Sequence, residues 1–93
     1  MFNKELENKI ETLKKFVPVV KKVHGKTHNE FYEVSDAFDK MILKLNNKDF
    51  NLDNEFKELR KITSNYKVPS DTCETYYMVY KIFEELDKAY YNE

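Results

Sequence analysis

An all-α fold, four helices packed as an up-down-up-down antiparallel bundle, is predicted from three observations. Glycine occurs once and proline twice in 93 residues, too little punctuation for a β protein with many tight turns. Apolar residues recur at three- and four-residue steps in four separate stretches, the period of a helix with one buried face. The links between the stretches are short, which sets neighbouring helices antiparallel. Ninety-three residues make one domain with a modest core, so 1–93 is read as a single bundle. Charged residues at 35% and aromatics at 15% suit helices with wet outer faces and a bulky inner stripe.

The first helix is expected over about 3–23, with Leu6, Ile10, Leu13, Phe16, Val20 and Val23 on one face. Pro18 lies inside it and removes a backbone hydrogen bond, so a kink is expected near Lys14–Val17 while the stripe continues. Gly25, the only glycine, is placed just past the helix in the left-handed conformation common there. Thr27 and Glu30 have capping-box spacing for the second helix, about 28–46. Its stripe is Phe31, Val34, Phe38, Met41 or Ile42, and Leu45. The polar run 46–51 reads as a loop. Asn51 or Asp53 is placed to cap a third helix, about 52–66, carrying Leu52, Phe56, Leu59, Ile62 and Tyr66. A break follows at Val68-Pro69. Ser70 is a natural N-cap, with Asp71 and Glu74 in the first turn of a fourth helix, about 70–91. Tyr76, Val79 or Tyr80, Phe83, Leu86 and Tyr90 face inward from it.

Composition narrows the function classes. Cys73 is the single cysteine, which excludes an internal disulfide and fits a reducing compartment. No apolar run reaches the roughly 18 residues of a membrane span, and the amphipathic start is unlike a signal peptide; a cytoplasmic protein is expected. A net charge of −1 implies no general attraction to nucleic acid. The charge is uneven. Residues 1–26 hold seven lysines against three glutamates, and residues 70–93 hold six acids against two lysines. In a bundle the first and last helices are neighbours, so these read as complementary flanks. A basic docking face is the alternative.

Few residues could carry chemistry. His24 and His28 are the only histidines. Four residues apart on one helix they could grip a metal, but Gly25 and the Thr27 cap put a turn between them. A structural role for His24, closing a helix end, is the simpler reading. The Glu-x-x-His motif of di-iron bundles is absent, since Lys21 and Gly25 lie three residues before the histidines. Cys73, near a helix start, could have its thiolate favoured by the dipole; a small buried hydrophobe is the expectation. Tyr76, Tyr77, Tyr80, Tyr90 and Tyr91 crowd the fourth helix, some as core and the outward ones as a possible partner patch. No glycine-rich phosphate loop, nucleophile motif or DNA-reading helix is found.

Two stretches carry a family resemblance. One is Val23-His24-Gly25-Lys26-Thr27-His28 with Glu30-Phe31-Tyr32-Glu33-Val34. The other is Leu59-Arg60-Lys61-Ile62-Thr63-Ser64-Asn65-Tyr66, then Pro69, Cys73, Thr75-Tyr76 and Tyr80. Together they resemble the hemerythrin-like domain of the Repair of Iron Centres family, di-iron proteins implicated in restoring iron–sulfur clusters after nitric oxide or oxidative stress. The resemblance spans about residues 2–92 and implies a hemerythrin-like bundle. It does not bring the iron site with it. The family's ligand positions fall near Phe2-Asn3, near Lys48, near Asp49, and at or beyond Glu93, where this chain offers no suitable ligand. The N-terminal cysteine-bearing domain of the family is also missing. His24, about 20 residues along the first helix and so roughly 30 Å from its start, belongs to the opposite end, beside Pro69 and Cys73.

The expectation is a non-enzymatic helical interaction module without cofactor. It would bind a protein partner or itself, as a twofold homodimer, through core side chains bared at a shortened end: Phe2, Leu45, Phe50, Tyr90 and Tyr91. The rival is an iron-binding protein of nitrosative or oxidative stress and iron–sulfur cluster repair. Its ligands would come from two chains, or from His24, His28 and Cys73.

Overall fold

The computed structural model describes residues 4–92. These form four α-helices and no strand: α1 (Lys4–His24), α2 (Glu30–Asn46), α3 (Asp53–Thr63) and α4 (Glu74–Tyr91). None of the helices is long and apolar enough to cross a membrane. Helix α1 packs on α4 and on α2, and α2 packs on α3. The longest dimension is 35 Å, close to the roughly 31 Å that the 21 residues of α1 span at 1.5 Å each.

The stripes close on one core. Leu6, Ile10, Leu13, Val17 and Val20 come from α1; Phe31, Val34, Ala37, Phe38 and Met41 from α2; Phe56 and Leu59 from α3; and Tyr76, Val79, Tyr80, Phe83 and Leu86 from α4. The face of α1 is turned slightly from the predicted one. Val17 is buried where Phe16 was expected, and Phe16 packs at the edge. Val23 is 66% exposed, because α1 ends one residue later and nothing covers that turn. Pro18 does not end the helix. Pro18 and Lys14 are both exposed, so the Lys14 carbonyl that loses its partner at Pro18 opens toward water.

Cross-helix contacts join the late part of one helix to the early part of the next. Lys44 Nζ lies 3.0 Å from Glu55 Oε1 and Lys40 Nζ 3.3 Å from Glu58 Oε1. Lys9 Nζ lies 3.6 Å from Glu85 Oε1, one pair across the oppositely charged α1 and α4.

Three connections depart from the sequence expectation. Gly25 is not left-handed. Its glycine is needed for close approach: a Cβ there would sit 2.5 Å from the Lys21 carbonyl oxygen and 2.7 Å from Tyr32 Cζ. Gly25→Ala is therefore expected to destabilise the fold by about 1–3 kcal/mol, read from a denaturant midpoint. Adding Tyr32→Ala should restore only part, because the Lys21 carbonyl is backbone. Thr27 does not cap α2, which starts at Glu30 behind Asn29. Its hydroxyl donates instead to the His24 carbonyl, 3.2 Å away, so it finishes α1.

The third helix ends at Thr63, short of the predicted Tyr66. Ser64, Asn65 and Tyr66 all have positive φ, 53°, 63° and 65°, conformations costing about 1–2 kcal/mol per residue. Thr63 holds the run: its hydroxyl donates to the Leu59 carbonyl and accepts from the Tyr66 N–H, each at 2.7 Å. The reversal turns Tyr66 back into the core, where its hydroxyl donates to Asp87 Oδ2 at 2.5 Å. The fourth helix begins at Glu74 with Cys73 as N-cap, three residues later than the Ser70 cap the sequence suggested. The Thr72 hydroxyl donates back to the Pro69 carbonyl at 2.8 Å, closing a turn before the helix.

Candidate functional site

The end of α1 and the start of α4 meet at two side chains that the chain separates by 49 residues: His24 Nε2 lies 3.2 Å from Cys73 Sγ. His24 is the last residue of α1, and its carbonyl organises the following turn by accepting from the Thr27 N–H at 3.1 Å and the His28 N–H at 2.8 Å. That turn folds His28 back until the two imidazole centroids are 6.3 Å apart. Tyr76, one turn into α4, lies edge-on to both rings, at 5.4 Å from His24 and 5.7 Å from His28. Its hydroxyl pairs with that of Tyr80 at 3.0 Å. Burial pushes both phenols above their ordinary value, so they act as neutral hydrogen-bonding groups.

His28 is differently engaged. Nδ1 is 3.2 Å from Glu30 Oε1 and Nε2 is 3.1 Å from Asp71 Oδ1. Nε2 is buried without an aligned hydrogen bond, so the Asp71 contact is one of proximity. Among the described residues no three His, Cys, Asp or Glu side chains are grouped so as to hold a metal. His24 and Cys73 form a pair, and His28 is held on carboxylates beside it.

The sequence placed His24, far along the first helix, beside Cys73, and the two do meet. The expectation of a buried Cys73 fails: the thiol is free and exposed. As N-cap it precedes the first turn of α4 and stays exposed beside its contact with His24. Asp71, read as first-turn charge, instead lies before α4 and faces His28.

The chain matches no protein-family model, no curated protein and no solved structure. Its reading therefore rests on its own residues.

At the other pole, Phe2 lies outside the described residues. Phe50 is 43% exposed and, with Glu7, Ile10, Glu11 and Leu45, lines a cleft of about 200 Å³. Tyr90 and Tyr91 fasten α4 to the start of α3. The Tyr90 hydroxyl accepts from the Leu52 N–H at 3.0 Å, and the Tyr91 hydroxyl donates to Asp53. The Arg60 guanidinium lies 5.0 Å over the Tyr91 ring. The Tyr91 hydroxyl and Lys57 hold the Asp53 carboxyl below the usual range, while burial and Asp53 push the Tyr91 phenol up to about 12. Lys48 and Asp49 lie in the α2–α3 turn; Lys48 has φ 59°, and Asp49 Oδ1 accepts from the Asn51 N–H at 3.1 Å.

The sequence did not foresee which large apolar residues stay exposed in the turns towards the His24–Cys73 pole. Val19, Val23, Tyr32 and Tyr77 are exposed within the last turns of α1 and the first turns of α2 and α4. Lys22, Lys26, Asp71 and Glu74 are exposed as well. Val19 lies four residues before Val23, a spacing that puts both on one face and was available as a signal.

Proposed function

We propose that this chain is a non-enzymatic helical binding module that pairs with a second copy of itself through the His24–Cys73 pole. The observation that carries the reading is that Val19, Val23, Tyr32 and Tyr77 are exposed in the helical turns nearest this pole. Charge supports a copy as the occupant. The same pole presents Lys22 and Lys26 from the α1 end and Asp71 and Glu74 from the α4 start. A twofold axis sets each basic edge of one copy on the acidic edge of the other.

In the same proposal the helices run up-down-up-down. The pairings Lys44–Glu55, Lys9–Glu85 and His24–Cys73 support this, since each joins opposite ends of neighbouring helices. We retain kinship with the hemerythrin-like Repair of Iron Centres proteins as a metal-free variant of that bundle. The free, exposed Cys73 supports a reducing, cytoplasmic setting.

Sedimentation velocity in chelator-containing buffer tests the pairing. A concentration-dependent dimer is expected. Val23→Glu or Tyr77→Glu should weaken it at least about tenfold, equivalent to about 1.4 kcal/mol, and Phe50→Ser should leave it unchanged. A monomer at every concentration, or a dimer weakened only by Phe50→Ser, refutes this choice of pole; capture of a different protein there would make the partner heterologous.

The iron reading has one observation in its favour, the closeness of His24, His28 and Cys73. To ligate a metal, His28 would have to leave Glu30 or Asp71.

A further inference from the structure

We propose that the cleft between the start of α2, the α3–α4 connection and α4 binds a small apolar α-amino acid, free at both its ammonium and its carboxylate. The site lies within one chain and does not depend on the proposed pairing.

The cleft has a volume of about 400 Å³, inside the roughly 300–1,000 Å³ that small-molecule sites occupy. Glu30, Ile62, Ser64, Lys67, Pro69 and Tyr80 line it. The chain brings them together by reversing between α3 and α4. The left-handed residues 64–66 turn it off the end of α3, and the turn that Thr72 closes on Pro69 feeds it into α4. Tyr80, 1% exposed, is the inner wall. Its hydroxyl is held 3.0 Å from that of Tyr76. Ile62, packed on the core, and Pro69 add apolar surface.

Charge selects the ligand. Glu30 and Lys67 bring opposite charges to one cleft and form no ion pair with each other; among the described residues the Lys67 side chain meets no carboxylate. Glu30 is 36% exposed, and its Oε1 is steadied by His28 Nδ1 at 3.2 Å. A carboxylate has about four acceptor sites, so capacity remains for an incoming ammonium. The exposed Ser64 hydroxyl makes no hydrogen bond among the described residues. With the Lys67 ammonium it offers a donor and a cation to a carboxylate. A ligand with a single charge engages one of the two charged groups and leaves the other idle. A zwitterion engages both, and an apolar side chain between them covers Ile62 and Pro69. The charges of ligand and site then cancel, so none is covered unpaired.

The test is a backbone-amide NMR titration of the full chain with L-phenylalanine, followed by N-acetyl-L-phenylalanine, which lacks the ammonium, and L-phenylalaninamide, which lacks the carboxylate. Saturable shifts centred on Glu30, Ser64 and Lys67 are expected with the free amino acid. Each blocked compound should bind at least about tenfold more weakly, equivalent to about 1.4 kcal/mol. In Lys67→Met, at an exposed position, the amide should bind as well as the free amino acid while the acetylated compound stays weak. In Glu30→Gln the penalty on the acetylated compound should vanish. Val23→Glu, directed at the pairing, should change none of this. An absence of saturable shifts, shifts centred elsewhere, or blocked compounds that bind the unaltered chain as well as the free amino acid overturns the proposal. An amide that alone binds as well as the free amino acid also overturns it, since the site would then take only an amine. These comparisons on the unaltered chain need no variant to fold.

Discussion

Asp87→Ala is expected to lower the stability of the fold by about 2–4 kcal/mol, the largest effect of any single polar substitution described. Asp87 is 7% exposed and serves two partners with one oxygen: the Tyr66 hydroxyl donates to Oδ2 at 2.5 Å, and Arg60 Nε lies 3.0 Å from the same atom. Truncation leaves the buried Tyr66 hydroxyl without its acceptor. It also removes the negative charge 3.0 Å from Arg60 Nε, a buried atom that makes no aligned hydrogen bond. The first cost is that of an orphaned group, larger than the net worth of the bond itself. Tyr66 further ties down the left-handed run 64–66, so its release frees a strained connection. The melting temperature should fall by more than about 10 °C, since each kcal/mol is worth about 4–8 °C in a domain this small. Tyr66→Phe removes the hydroxyl that Asp87→Ala would orphan. The double variant should thus be more stable than the sum of the single losses allows, with a coupling near 1 kcal/mol. If Asp87→Ala melts within a degree or two of the unaltered chain, the three-way contact contributes nothing and this account of the α3–α4 connection is wrong.

The helices and their buried faces were legible because burial imposes a period, and a period survives in sequence. Leu13, Val34, Leu59 and Phe83 could be assigned to a core without coordinates. The ends were less legible, for one recurring reason. A threonine or serine hydroxyl that can accept from the N–H groups of a following helix can equally donate to a carbonyl behind it. Thr27 was read as the first and acts as the second, on His24; Thr72 likewise turns back to Pro69. Gly25 was read as a conformational necessity and is a steric one, set by the Tyr32 ring, which no local pattern announces. The meeting of His24 and Cys73 followed from counting residues along α1. The exposure of Val23 did not, because Val23 continues the apolar period past the point where a neighbour is present to cover it.

Alkaline pH should unfold the chain cooperatively within about two pH units above 10. Tyr66, Tyr76 and Tyr80 are buried, and burial pushes all three phenols above their ordinary value of 10.0. Asp87 reinforces the shift at Tyr66, and the Tyr80 hydroxyl does so at Tyr76. With folded values above unfolded ones, the folded state holds more protons once the pH passes 10. Their contribution is complete below the unfolded value and is lost as the pH rises through the folded ones. Three such groups give a slope of about 4 kcal/mol per pH unit, against a total stability of order 5–15 kcal/mol for a small domain. Tyr91, raised to about 12, and Lys44, raised by its bond to Glu55, tilt the balance the same way. Phenolate absorbance from the buried rings should therefore rise together with loss of the helical signal, and not before it. Tyr80→Phe removes one of the three ionisations and should make the transition shallower. Full tyrosine ionisation in a chain that keeps its helical signal would show that these hydroxyls reach water and that the three rings are not held in the core.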